Sequence, residues 1–212
     1  MWCLSTDDGD SWSEPVEIPG LGHLKCADFR PLDSGFGESV LVMGLIGGKT
    51  AWLSFDGKWS PPHFLSSNPE TDFRGANLQS ASFPGGGVLI PFYYRESGSS
   101  RFSVITRRFH FDGTVLKESG QSNILSFEHG RGFLEPSVVC FNGRFYLTLR
   151  AEDNAAYWTE SADGLSWSQV RPWLFDDGSL LVTGSTQQHW LKVNKRLFLV
   201  YTRKTDYNVS FF

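Results

Sequence analysis

Short stretches of alternating apolar and polar residues run along most of the chain. These stretches are rich in β-branched and aromatic residues, and Gly and Pro separate them. The clearest ones span 39–46, 88–94, 102–111, 138–150 and 197–203. No segment sustains the period of a helix. The pattern therefore predicts an all-β protein built from antiparallel strands.

A short turn motif recurs four times between these stretches. The copies read STDDGDSW at 5–12, SFDGKW at 54–59, HFDG at 110–113 and SADGLSW at 161–167. Aligned on Asp8, Asp56, Asp112 and Asp163, they are 48, 56 and 51 residues apart. A period of about fifty residues in strand-rich sequence is typical of the blades of a β-propeller.

The chemistry of the motif indicates an architectural turn. Asp and Ser side chains accept hydrogen bonds from nearby backbone N–H groups, and Gly supplies a positive φ. We expect the Trp to pack each turn onto its own sheet. A calcium loop does not fit the first copy, because a loop with Gly9 in its required position has Leu4 and Pro15 where its first and last ligands belong. The Asp residues of the motif are therefore not candidate catalytic carboxylates.

The spacing predicts a single propeller domain over residues 1–212, with about four blades of four antiparallel strands. The first motif copy begins at Ser5, and residues 187–212 are typical of a hairpin without its own motif. We therefore expect the chain to lack most of a first blade and the last blade. Open blade edges favour self-association.

Composition excludes several classes of partner. The chain of 212 residues carries a net charge of −4 and has no basic stripe, which argues against nucleic acid. Its apolar runs are too short to span a membrane, and no signal peptide is visible at the start, so the compartment stays open. Cys3, Cys26 and Cys140 have neither a disulfide pattern nor metal-ligand spacing.

The strongest hairpin signal is Asn142-Gly143 within EPSVVCFNGRFYLTLR. A two-residue loop at these positions predicts that Glu135 lies opposite Arg150, within reach of an ion pair. The alternation then puts both residues on a face that is polar at its open end. An ordinary cross-strand salt bridge is one interpretation of the pair, and a functional site is the other.

The segment around this pair resembles a motif of the sialidase, or neuraminidase, superfamily. There, a Glu-Pro-Ser-like segment precedes a hairpin that ends in Arg, between Asp-box (BNR-repeat) turns. Segments such as RGANLQSASFPGGGVLIPFYYR, RGFLEPSVV and TLRAEDNAAYWTESADGLSWS are similar to the bacterial sialidase-like branch. The resemblance spans nearly the whole chain and implies a six-bladed propeller.

The resemblance also implies a chemistry. In that family a Glu activates a Tyr nucleophile, Arg side chains bind the substrate carboxylate, an Asp acts as acid and base, and no cofactor or metal takes part. Carried over, Glu135 is the catalytic base, and Arg150 and Arg203 are carboxylate-binding residues. A neutral Tyr suits attack on an anionic sugar, and a guanidinium suits a carboxylate.

Three further residues are candidates for substrate contact. They are Arg74 in FRGANLQS, and Gln188 and His189 in TQQHW. Each has a structural alternative, in which it supports a loop instead of a ligand. The family's first Arg and its acid/base Asp belong upstream of the first motif copy, so Arg30 does not fit that role by position. The family's Tyr belongs beyond Arg203, and Tyr207 is too close to inherit its role.

Three interpretations of the chain's role are compatible with the sequence. The first is a sialidase-like glycoside hydrolase that acts on terminal sialic acid or a related acidic sugar, with a glycan as its partner. The second is a non-catalytic carbohydrate-binding or interaction propeller, since a fold alone does not fix a function. The third is a shortened gene product without a function of its own.

Overall fold

The computed structural model describes residues 2–18, 25–33, 38–65, 71–75, 79–205 and 208–211. These residues form sixteen β-strands and no helix. The prediction of an all-β chain is confirmed. Accordingly, the described part of the chain contains no helix that could cross a membrane.

The strands form four antiparallel sheets that follow one another along the chain. The first sheet contains β1 (Lys25–Asp33), β2 (Glu38–Ile46), β3 (Lys49–Phe55) and β4 (His63–Phe64). The second contains β5 (Thr71–Gly75), β6 (Ala81–Phe83), β7 (Gly87–Glu96), β8 (Ser103–Phe111) and β9 (Leu116–Gln121). The third contains β10 (Leu134–Phe141), β11 (Arg144–Arg150), β12 (Ala156–Ser161) and β13 (Arg171–Pro172). The fourth contains β14 (Gln188–Val193), β15 (Arg196–Thr205) and β16 (Asn208–Phe211).

The sheets have the strand order of propeller blades. The first and third have four strands in sequential order, as predicted. In the second, β5 and β6 pair with opposite ends of β7, so that together they occupy one strand position. The described part of the fourth sheet has three strands.

The first strands of the four sheets lie side by side. β1 contacts β6, β6 contacts β10, and β10 contacts β14. This is the arrangement of propeller blades, whose first strands surround a common axis. Side chains from distant parts of the sequence therefore meet at this axis.

Two apolar cores fill the spaces between adjacent sheets. Alternate residues of β7 face different cores: Val88 and Ile90 pack toward the first sheet, and Leu89 packs toward the third. Burial on both faces explains why β7 is a nearly continuous apolar run in the sequence.

The turn motif joins the third and fourth strands of the first three sheets. In the copy at 161–167, the Asp163 carboxylate accepts hydrogen bonds from the backbone N–H groups of Leu165 and Ser166, both at 2.8 Å. These bonds hold the pKa of Asp163 at about 2. This geometry agrees with an architectural role for the carboxylate.

The first copy differs from our alignment by one residue. Asp7, and not Asp8, accepts the hydrogen bond from the Ser11 N–H, at 2.9 Å. Asp8 instead takes a left-handed conformation, with φ of 57°. The alignment on Asp8 was wrong because this copy has one more residue between its Ser and its Trp than the copy at 161–167.

The Trp of the last copy connects two sheets instead of packing only onto its own. The indole N–H of Trp167 donates to the Thr106 hydroxyl of β8 at 2.9 Å, and that hydroxyl donates to the Gly164 carbonyl. Trp167 also belongs to the core between the second and third sheets. This copy of the motif therefore holds the second and third sheets together, whereas Trp12 of the first copy is exposed.

Candidate functional site

The hairpin around Asn142-Gly143 has the predicted register over most of its length, with Val138 opposite Leu147. Near the open end of the hairpin, a β-bulge puts Leu134 opposite Arg150. Our prediction that Glu135 lies directly opposite Arg150 is wrong, because β10 has one extra residue at this point. Glu135 itself has φ of 44°, in the left-handed region.

The ion pair between Glu135 and Arg150 nevertheless forms. Arg150 Nη1 donates to Glu135 Oε2 at 2.7 Å, and Arg150 Nε donates to the Ser185 carbonyl at 2.5 Å. The side chain of Glu135 is 20% exposed and that of Arg150 is 19% exposed. The pair is thus held in place and still open to a ligand.

The pair lies in a cleft, which we call the axial cleft, with a volume of about 480 Å³. Residues of the third and fourth sheets and of the loop between them line it: Glu135, Arg150, Ser185, Thr186, Gln187, His189, Val200, Tyr201 and Thr202. The lining thus combines an anionic group, a cationic group, an imidazole, a phenol and hydroxyls. Such a mixture suits a polar ligand that bears hydroxyls and a charge.

Of the two neighbours in TQQHW, His189 lines the axial cleft and Gln188 does not. Gln188 is 1% exposed, and its amide accepts from the Thr148 hydroxyl at 2.7 Å and donates to the Thr186 carbonyl at 2.5 Å. This geometry corrects the expectation of substrate contact for Gln188 in favour of its loop-supporting alternative. Alternation puts the two side chains on opposite faces of β14, and that of Gln188 packs against Thr148 of β11.

The half-buried imidazole of His189 makes no hydrogen bond within the described part of the chain. Burial lowers its pKa, the charge of Asp28 and more weakly that of Glu135 oppose this shift, and Arg30 adds to it. The imidazole is therefore neutral at pH 7. In that form one ring nitrogen donates and the other accepts, which suits a ligand hydroxyl.

Tyr201 also lines the axial cleft, and our sequence reasoning missed it. It lies in β15 opposite Gln188, two residues before Arg203. The available signal was the strand LFLVYTRK, in which alternation puts Tyr201 and Arg203 on the same face.

An ion pair on β1 was missed as well. Arg30 Nη2 lies 2.7 Å from Asp28 Oδ1, and Arg30 Nε donates to Asp28 Oδ2 at 3.1 Å. Both residues act electrostatically on His189, so β1 contributes to the same region as β10 and β14. The signal was the Asp-x-Arg spacing in CADFRPL, which places both side chains on one face of a strand.

A further ion pair lies beside that of Glu135 and Arg150. Arg131 donates to Glu152 through Nη2 at 2.5 Å and through Nε at 2.8 Å. These bonds are the main cause of the raised pKa of Arg131, and the charge of Glu135 contributes to it. The charges of the two pairs therefore act on each other.

Tyr157 forms a tyrosine–carboxylate pair, since its hydroxyl donates to Asp153 Oδ2 at 2.5 Å. Burial and then Asp153 raise the pKa of Tyr157 to about 12, so the phenol keeps its proton. Its ring packs on Phe127 and Phe133 in the contact with the second sheet. This pair is therefore structural.

Three other residues lie wholly or partly outside the described part. The backbone of Arg74 is in β5 opposite Tyr93, and that of Arg203 is in β15 opposite Ser210, but neither side chain is described. Tyr207 lies outside the described residues. Thr202, next to Arg203, lines the axial cleft.

No cluster of three or more His, Cys, Asp or Glu residues among those described is arranged to hold a metal ion. The arrangement offers three kinds of chemistry instead. Arg150 can bind an anion, Glu135 can accept a proton, and neutral His189 can bind a hydroxyl.

No protein-family model and no curated protein matches the chain. Among solved structures, it is similar to a Trypanosoma rangeli sialidase in complex with sialic acid, with 16% identity and a TM-score of 0.55 over 96% of this chain and 38% of that one. It is also similar to an Aleuria aurantia lectin in complex with Fucα1-6GlcNAc, with 12% identity and a TM-score of 0.54 over 96% of this chain and 67% of that one. At these identities the similarity establishes the fold, a β-propeller, as predicted.

Proposed function

We propose that this chain binds the terminal acidic sugar of a glycan in the axial cleft and cleaves its glycosidic bond, as a sialidase-like hydrolase. The observation that carries the proposal is the Glu135–Arg150 pair, which two hydrogen bonds of Arg150 fix and which is about one-fifth exposed in the axial cleft. The sialidase and lectin structures that share its fold support a glycan as the ligand.

Arg150 is the proposed binding residue for the sugar carboxylate. A guanidinium offers two parallel N–H groups to a carboxylate, and such charge-assisted bonds are the strong ones. Arg203 and Arg74 are proposed to extend this anion site, on the strength of the sequence resemblance. His189 is proposed to bind a sugar hydroxyl.

Glu135 is the proposed base and Tyr201 the proposed nucleophile, because both line the axial cleft. Glu135 takes the phenol proton as the Tyr201 oxygen attacks the anomeric carbon and the glycosidic C–O bond breaks. The leaving oxygen takes a proton from an acid that we do not assign. Water then cleaves the tyrosyl–sugar bond and gives a proton back to the unassigned acid, and the phenol regains its proton from Glu135.

Hydrolysis of an aryl sialoside that releases a fluorophore tests this mechanism. An aryl leaving group needs little help from an acid, so the assay depends on Glu135 and Tyr201. We expect Glu135→Gln and Tyr201→Phe each to lower kcat roughly 100-fold or more. Glu160→Gln, in a surface ion pair of the same sheet, is the matched control and keeps full activity. Turnover that survives Glu135→Gln contradicts the assignment.

A non-catalytic glycan-binding propeller is the second candidate. The hydrogen bond between Glu135 and Arg150 favours it, because this pair can bind a sugar even if Glu135 takes no proton from a nucleophile. Saturable binding of a sialylated oligosaccharide without release of sugar by the wild-type chain identifies this second function.

A further inference from the structure

Residues 79 and 80 lie where the first strands of three sheets meet. The backbone N–H and the hydroxyl of Ser80 both donate to the Asp28 carboxylate of β1, at 2.8 and 2.5 Å. The Gln79 carbonyl accepts from the Val138 N–H of β10 at 2.8 Å. This two-residue segment therefore connects β1 to β10.

The side chain of Gln79 extends the connection to β14. Its amide donates to the Trp190 carbonyl at 2.7 Å and accepts from the Trp190 N–H at 2.6 Å. A side-chain amide thus takes the place of a neighbouring strand for Trp190. The residue before Trp190 is His189, which lines the axial cleft.

The contacts of Asp28 connect β1 to Ser80 and leave little of its carboxylate free to bind a ligand. Its carboxylate is 10% exposed and accepts three hydrogen bonds, two from Ser80 and one from Arg30 Nε. Arg30 Nη2 also lies 2.7 Å from Asp28 Oδ1, as the second contact of the ion pair. The lone pairs of the carboxylate are thereby largely used. Replacement of the carboxylate by an amide would remove the ionic partner of Arg30 and one of the two acceptor oxygens at this point.

We propose that Asp28 is a positioning residue for the axial cleft: through Ser80 and Gln79 it fixes the backbone of Trp190 and so sets the place of the His189 imidazole. The functional consequence of this inference, recognition of a sugar hydroxyl by His189, rests on the proposed function. Its structural part, the dependence of His189 on Asp28, stands independently of any ligand.

Electrostatics supports the link. Of the charges that act on His189, Asp28 on β1 and Glu135 on β10 raise its pKa, and Arg30 on β1 lowers it, against the dominant effect of burial. Loss of the Asp28 charge therefore lowers the pKa of His189 further. A carboxylate too far from His189 to act on it would leave this pKa unchanged, and Ser80→Ala, which keeps every charge, separates the positioning from the charge.

NMR titration of the His189 ring in the wild-type chain and in Asp28→Asn tests the structural part, with the resonance assigned from His189→Gln. We expect a lower pKa for His189 in Asp28→Asn. We expect no change in Glu118→Gln, which removes the carboxylate partner of Arg107 on the second sheet. An unchanged pKa in a folded Asp28→Asn chain overturns the proposal, whether or not the chain binds glycans.

A double-mutant cycle on the affinity for 3′-sialyllactose tests the consequence. We expect Asp28→Asn to weaken binding roughly tenfold in the wild-type background and less than about twofold in the His189→Gln background. The reason is that the two substitutions remove the same interaction with the sugar hydroxyl. Ser80→Ala, which keeps every charge, should behave like Asp28→Asn. Additive losses overturn the proposal. Absence of binding by the wild-type chain instead refutes the proposed function and leaves the titration as the test.

Discussion

At the scale of single residues, Glu135 is notable for its backbone. It has a positive φ of 44° although it has a side chain and precedes Pro136, and both features disfavour this region. The conformation costs about 1–2 kcal/mol and needs compensation from its surroundings. The hydrogen bond to Arg150 at 2.7 Å provides part of it. Strain of this kind is typical of functional sites.

This strain can be measured by comparing two variants that both lose the ion pair. We expect Glu135→Gly to be more stable than Glu135→Ala by about 1 kcal/mol, because Gly has no Cβ to clash at positive φ. Urea unfolding of the two variants gives the difference. Equal stability, or a more stable Ala variant, would show that the backbone of residue 135 is unstrained.

The lowered pKa of His189 makes the free energy of unfolding depend on pH. Burial puts its pKa in the folded chain below the ordinary value of about 6.5. As the pH falls from 7.5 to 5, the unfolded chain takes up a proton at this position more readily than the folded chain, so the folded state loses stability.

Urea unfolding at pH 7.5 and pH 5 measures this contribution. We expect the wild-type chain to lose more stability over this interval than His189→Gln, which has no group to titrate. An identical loss in both chains would mean that the imidazole is solvated like that of an unfolded chain.

At the scale of elements, the strands and turns could be predicted from the sequence, but the bulge could not. Alternation and Asn142-Gly143 define the hairpin, because period-two burial and a tight turn depend on local residues. The extra residue in β10 leaves no mark in the pattern, and neither does the meeting of Asp28 with Ser80. Such contacts depend on how sheets pack around the axis, which no local pattern records.

The turn at 161–167 gives a prediction with an internal control. Gly164 and Gly143 both have φ of 75°, but a Cβ on Gly164 would lie 2.5 Å from Leu89 Cδ2, whereas a Cβ on Gly143 would meet nothing within 4 Å. We expect Gly143→Ala to cost about 1 kcal/mol and Gly164→Ala about 1–3 kcal/mol more. Thermal unfolding measures both. Equal costs would mean that this turn does not pack tightly against the second sheet.

At the scale of the whole molecule, the fourth sheet leaves an apolar face open among the described residues. Leu191 and Phe198 are cross-strand partners on β14 and β15, and Val193 lies on the same face; all three are exposed. Clustered apolar side chains on a sheet face favour association. We propose that the chain self-associates through this face. The sequence had led us to expect self-association at open blade edges, and this face is where we place it.

Light scattering over a range of protein concentrations tests this proposal. We expect the mean mass to rise with concentration for the wild-type chain, and Leu191→Lys to abolish the rise. Val115→Lys, at an equally exposed apolar position in the turn before β9, should leave it intact. A monomeric wild-type chain at all concentrations would refute association through the fourth sheet.

The central claim is that the axial cleft binds an acidic sugar through Arg150, and calorimetric titration with 3′-sialyllactose tests it most directly. We expect saturable binding by the wild-type chain, at least tenfold weaker binding by Arg150→Ala, and unchanged binding by Arg144→Ala, which breaks an exposed ion pair at the other end of the same strand. Wild-type affinity in a folded Arg150→Ala chain, or no binding by the wild-type chain, would contradict the claim.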